Sequence, residues 1–100
     1  MNYIIQDQLE LEKVCSAAAK MPWVGLDTEF QRVRTYYPRL CLVQLATPDT
    51  TICIDVLKNL DFSVFKKLLT DSNVTKIFHS ARQDIEALYV AFSVSPAPLF

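Results

Sequence analysis

Leu11, Val14, Cys15 and Ala18 recur at the three-to-four-residue interval that aligns side chains along one side of a helix. Asp7 followed three residues later by Glu10 is a capping box, and Pro22 ends the pattern, so a first helix is expected over about Gln8 to Lys20. The period then changes to two. Trp23 to Phe30 reads as a strand, with Val24, Leu26, Thr28 and Phe30 on one face and Trp23, Gly25, Asp27 and Glu29 on the other. Leu40 to Ala46 and Thr51 to Val56 are two more strands, and Thr47-Pro48-Asp49-Thr50 is short enough to join them as an antiparallel pair. Asp61 is placed to cap a helix carrying Val64, Phe65, Leu68 and Leu69, which the polar turn Asp71-Ser72-Asn73 ends. A short strand over Thr75 to Phe78 follows. Ser80 and Gln83 form a second capping box, and Ile85, Leu88, Tyr89 and Phe92 mark the buried stripe of a helix from about Ala81 to Phe92. Past Ser93 to Pro98, the apolar Leu99 and Phe100 read as the opening of a further strand, cut before it can pair. The order strand, strand, strand, helix, strand, helix implies a mixed α/β sheet with helices packed on it.

Composition narrows the class. With 51% hydrophobic residues in 100, the chain is no disordered tail and must bury a core, as one domain or part of one. So apolar a chain of this length points to a partner or a missing part of the fold. No apolar run approaches the roughly 20 residues of a membrane span, and the N-terminus lacks a basic leader and meets an acid at Asp7, so a soluble cytoplasmic protein is expected. Cys15, Cys41 and Cys53 are odd in number, far apart and set among apolar residues, which reads as reduced core thiols. The only glycine, Gly25, excludes a glycine-rich phosphate loop. A net charge of −1 gives no bulk attraction to nucleic acid, so any such site is local. One local basic stretch exists: Arg32, Arg34 and Arg39 with Tyr36 and Tyr37 between them, suited either to phosphate contact with base stacking or to a solvated loop.

The face carrying Asp27 and Glu29 departs from its surroundings. Two residues apart on a strand, they project to one side with Cα atoms roughly 6.5 to 7 Å apart, where like charges repel unless a cation lies between them. Strands disfavour both residues. Two readings stand: a solvated strand end, or oxygen ligands for a hard divalent cation such as Mg²⁺ or Mn²⁺. Asp84, in the first turn of the last helix, is a third carboxylate from a second element, favoured there by the helix N-terminus whether or not it binds anything. A two-metal phosphoryl-transfer site draws several carboxylates from different elements, and these three are its candidates. His79, just before Ser80, is either structural or a hydrogen-bond donor to a phosphate or carboxylate. Gln44, among apolar strand residues, reads as a hydrogen-bonded core amide. Asp55 and Glu86 are assigned to a strand end and the surface.

Leu26-Asp27-Thr28-Glu29-Phe30, Arg34-Thr35-Tyr36-Tyr37-Pro38-Arg39-Leu40, Val43-Gln44-Leu45 and His79 with Asp84-Ile85-Glu86 together resemble the N-terminal part of the bacterial ribonuclease D family, over essentially the whole chain. That family belongs to the DEDD superfamily of 3′-to-5′ exonucleases. The resemblance implies a ribonuclease H-like mixed sheet, its first three strands antiparallel, flanked by helices and truncated at the C-terminus. Residues 1–100 would then be the N-terminal portion of an exonuclease domain, holding the first and second acidic motifs. It further implies hydrolysis of RNA 3′ ends to 5′-monophosphates, with transfer-RNA precursors as the RNA and two divalent ions, Mg²⁺ or Mn²⁺, in the complete enzyme. Asp27 would bridge the metals, Glu29 would bind one and help orient the attacking water, and Asp84 would hold the second through its water shell. Phe30, Arg32, Arg34, Tyr36 and His79 are the candidate RNA contacts. The family's third motif, a tyrosine and an aspartate on a later helix, has no counterpart in this sequence, so these 100 residues alone are expected to be weak or inactive. Partners implied are RNA, no membrane, and either the missing C-terminal part of the fold or another chain over the open sheet edge. The alternatives are a non-catalytic nucleic-acid or protein interaction fragment and a 3′-to-5′ exodeoxyribonuclease of the same superfamily.

Overall fold

A computed structural model describes the backbone of residues 2–32, 38–78 and 81–100, with the side chains of 4–29, 40–78 and 81–100. Its elements run β1 (Asn2–Ile4), α1 (Gln8–Ala18), β2 (Trp23–Arg32), β3 (Pro38–Ala46), β4 (Thr51–Asp55), α2 (Ser63–Thr70), β5 (Thr75–Phe78) and α3 (Ala81–Phe92). The five strands form one sheet in the order β1-β4-β3-β2-β5. β2, β3 and β4 pair antiparallel in sequence, whereas β1 joins β4 and β5 joins β2 in parallel. This is the mixed sheet that the polar and apolar pattern predicts, with one strand more. At three residues, β1 is too short to show a period of two, and its place comes from pairing Asn2 with Thr51 and Ile4 with Cys53.

Local chemistry explains several of the helix ends. The Glu10 N–H donates to Asp7 Oδ1 (2.9 Å), as the capping box requires, but Glu10 Oε1 accepts from Gln6 rather than from Asp7 (3.3 Å). Asp61 is not the N-cap of α2; that position is Phe62. Its carboxylate still accepts from the N–H of Ser63 (2.9 Å) and the Ser63 hydroxyl (2.6 Å), and these bonds hold the Asp61 pKa below the usual carboxylate value. The Asn73 N–H donates to Asp71 Oδ1 (2.9 Å), closing the predicted turn and turning Val74 into the core.

Ile5, the α1 stripe, Phe65, Leu68 and Leu69 of α2, and Ala87, Leu88 and Phe92 of α3 form one core with Val24, Leu26, Val43, Leu45, Ile52 and Ile54 of the sheet. The rings of Phe62 and Phe65 lie 5.5 and 5.6 Å from that of Phe92, joining α2 to α3. Because the sheet residues of this core occupy alternate positions, the helices pack on one face. The buried side of α3 differs from the expected stripe: Tyr89 is 57% exposed and Ile85 half-buried, while Asp84 and Ala87 face inward. Ala87 gives the helix a close approach, and Asp84 is accommodated by a hydrogen bond described below.

Leu99 forms a parallel bridge to Lys76 of β5, with the Lys76 N–H donating to the Pro98 carbonyl (2.9 Å) and the Phe100 N–H to the Lys76 carbonyl (3.0 Å). The expected further strand thus begins beside β5 and, contrary to the expectation that it stays unpaired, already pairs there through Leu99 because the Lys76 backbone offers it a donor and an acceptor. Lys76 is itself fully buried, its ammonium donating to the carbonyls of Asp71 (2.6 Å) and Ala97 (2.8 Å), and burial pushes its pKa down. Cys15 is a buried thiol as expected, its pKa raised by burial to about 12, but Cys41 and Cys53 are only half-buried. No helix among the described residues is long and apolar enough to cross a membrane.

Candidate active site

The second face of the sheet carries no helix among the described residues. Strand register lays out its side chains in rows: Gly25, Ala46 and Thr51; Asp27, Gln44 and Cys53; Glu29, Leu42 and Asp55. All are half-buried except Asp27 and Glu29, which are exposed. The two acids therefore share the open face, as the alternation predicts. A depression of about 350 Å³ lies beside Asp27, lined by Gly25, Asp27, Gln44, Ala46, Thr51 and Ile77 among others. Gly25 contributes to its floor by carrying no side chain.

Gln44 is thus not a core amide. It sits on this face directly across from Asp27, because β3 is in register with β2 and Val43 and Leu45 take the core positions on either side of it. Immediately after Glu29 the register slips: Glu29 pairs with Leu42 and Phe30 with Leu40, leaving Cys41 as the extra residue of a β-bulge. Such an insertion bends the strand and re-aims the side chains beside it. It also explains why Leu40 is buried although it is out of phase with Val43 and Leu45.

Asp84 reaches the same segment from the other side. It is 2% exposed, in the first turn of α3, and its Oδ1 accepts a hydrogen bond from the Thr28 hydroxyl at 2.5 Å. Thr28 alternates with Asp27 and Glu29, so Asp84 lies toward the helix-covered face of β2. Asp27 Oδ1 accepts from the backbone N–H of Thr28 (3.1 Å). Among the described residues no three acidic, histidine or cysteine side chains assemble into a metal-holding group, so the three candidate acids converge on one strand segment without closing on one point. Their oxygens are nonetheless the hard donors that Mg²⁺ and Mn²⁺ prefer.

Arg34, Tyr36 and His79, and the proposed Ser80 cap, lie outside the described residues, as do the side chains of Phe30 and Arg32. Asp55, read from the sequence as an ordinary strand end, stands in the row of Glu29 and accepts from the Leu57 N–H (3.0 Å). Only the three-strand register, not the local pattern, shows that it shares the acidic face.

A family model described as 3′-5′ exonuclease matches residues 2–100. The chain belongs to this 3′-5′ exonuclease family. Within it, the chain is similar to the ribonuclease D of Nitrobacter hamburgensis, 43% identical over 98 residues, which are 97% of this chain and 26% of that protein. It is likewise similar to the ribonuclease D of Bartonella henselae, 42% identical over 101 residues, with 100% of this chain and 25% of that protein covered. The crystal structure of Escherichia coli RNase D, described as an exoribonuclease involved in structured RNA processing, superposes with a TM-score of 0.91 at 37% identity. That match covers 100% of this chain and 27% of the exonuclease structure, so the chain spans about a quarter of these relatives. The mixed sheet flanked by helices is the fold they share.

Proposed function

We propose that these residues form the metal-binding part of a ribonuclease D-like 3′-to-5′ exoribonuclease, acting on RNA 3′ ends in the cytoplasm, with transfer-RNA precursors as the substrate class. One observation carries the reading. In a chain of the exonuclease family, Asp27 and Glu29 stand exposed on the face of β2 that carries no helix among the described residues, a position that contributes nothing to the core they form. Asp27 and Glu29 would hold the divalent ions, and Asp84 would act from beneath the same strand. When bound, such ions lower the pKa of water and neutralise charge on a leaving 3′ oxygen. The depression beside Asp27, with the Gln44 amide at its edge, would receive the terminal nucleotide.

The test is the intact polypeptide expressed from its native gene, incubated with Mn²⁺ and 5′-labelled RNA bearing a 3′ hydroxyl. Stepwise shortening with release of 5′-monophosphates is expected, abolished by chelation. Asp27→Ala should slow it by about a hundredfold or more, the scale of several kcal/mol of lost charge stabilisation. The 100-residue segment alone should be far slower than the intact polypeptide. RNA left unshortened by protein with all three acids present would overturn the reading, and preference for DNA would move it to the exodeoxyribonucleases.

A further inference from the structure

Thr28 lies between the two exposed acids in sequence and against the third in space. Its hydroxyl donates to Asp84 Oδ1 at 2.5 Å, the length of a charge-assisted O–H···O⁻ bond. Asp84 is 2% exposed, so water offers its carboxylate little alternative to the partners the fold supplies. The bond links residues 56 apart in the chain and ties the first turn of α3 to the middle of the acidic strand segment. Neighbouring Asp27 is tied to the same residue, its Oδ1 accepting from the Thr28 backbone N–H. Thr28 therefore has one contact to each of two candidate metal-binding acids, through its backbone on one face and its hydroxyl on the other.

We infer that Thr28 is a positioning residue, whose hydroxyl fixes the orientation of Asp84, the acid that α3 contributes to the proposed divalent-cation site. The inference deepens the proposed metal site and rests on it. A threonine suits the position on two counts. Its branched side chain favours the strand that carries both acids, and its single hydroxyl donates one hydrogen bond to the Asp84 carboxylate. Valine keeps the shape and removes the donor; serine keeps the donor and removes the methyl.

A Mn²⁺ titration of the intact polypeptide, followed by the loss of the free-ion electron paramagnetic resonance signal, reads the inference without turnover. Thr28→Val should weaken Mn²⁺ binding about tenfold, the scale set by one hydrogen bond to a charged group, while Thr28→Ser stays within about twofold of the parent. Asp84→Asn should weaken binding as well, and combining it with Thr28→Val should add nothing, because the two changes break the same link. Should Thr28→Val fail to fold, Thr28→Ala against Thr28→Ser isolates the hydroxyl. Unchanged Mn²⁺ affinity in Thr28→Val or Thr28→Ala, additive losses in the double variant, or a parent protein that binds no Mn²⁺ would each overturn the inference. Mn²⁺ binding with the expected non-additivity but no RNA shortening would instead overturn the exonuclease reading and leave Thr28 in its role.

Discussion

The two faces of this sheet are built from alternate residues of the same strands, yet they are made of different material. On the helix side Leu26, Leu45 and Ile52 lie in one cross-strand row and are almost fully buried. One residue along, Asp27, Gln44 and Cys53 form the next row on the open side, and none of them is buried. The difference teaches that stability and chemistry are separated at single-residue resolution. A strand can hold two like charges on one face because its other face is anchored in a core that does not depend on them.

The largest expected effect compares two neighbours on β3. Leu45→Ala should destabilise the protein by about 2 to 5 kcal/mol, since it empties a site closed by helices, whereas Gln44→Ala should stay within about 0.5 kcal/mol of the parent. Urea denaturation measures both, and similar losses at the two positions would break the distinction between the faces.

A smaller effect comes from pH. The Cys15 thiol titrates near 9.0 when unfolded and at about 12 in the core. Between those values the native state keeps a proton that the unfolded state has lost, so stability falls as pH rises through this window. The contribution is fully present below about pH 9 and gone above 12. Cys15→Ala should show a shallower alkaline decline than the parent; equal slopes would mean that α1 does not seal this thiol from water.

The smallest effect belongs to the open face. A methyl group at Gly25 would meet the Ala46 Cβ at 3.5 Å, an ordinary contact. Gly25→Ala should therefore raise stability by roughly 0.4 to 1 kcal/mol through a less flexible unfolded chain. A loss of stability would mean that something covers this face in solution.

Much of this organisation is legible in the sequence, and the exceptions share a cause. Periodicity locates α1, α2, α3 and four of the five strands, because each buries a repeating side of its own. It places Asp27 and Glu29 together opposite Leu26, because a period of two needs no partner to be read. What it misses depends on partners. β1 exists only through β4, and Gln44 is read correctly only once β3 is set in register with β2. The buried side of α3 turns toward Asp84 because a threonine 56 positions away satisfies that carboxylate. Lys76 gives no local sign of burial, since its carbonyl partners come from a turn and from the segment before Leu99. The ribonuclease D resemblance implies roles for the acids that periodicity alone leaves open between a solvated end and a metal site.

The most direct measurement is the urea midpoint of the intact polypeptide, with and without Mn²⁺, for the parent and for Asp27→Asn combined with Glu29→Gln. In chelator the double variant should be at least as stable as the parent, because two neighbouring like charges are removed. Saturating Mn²⁺ should raise the parent midpoint by mass action and leave the variant unmoved. A variant that loses stability in chelator, or that still responds to Mn²⁺ like the parent, would contradict the claim that these two acids serve a metal rather than the fold.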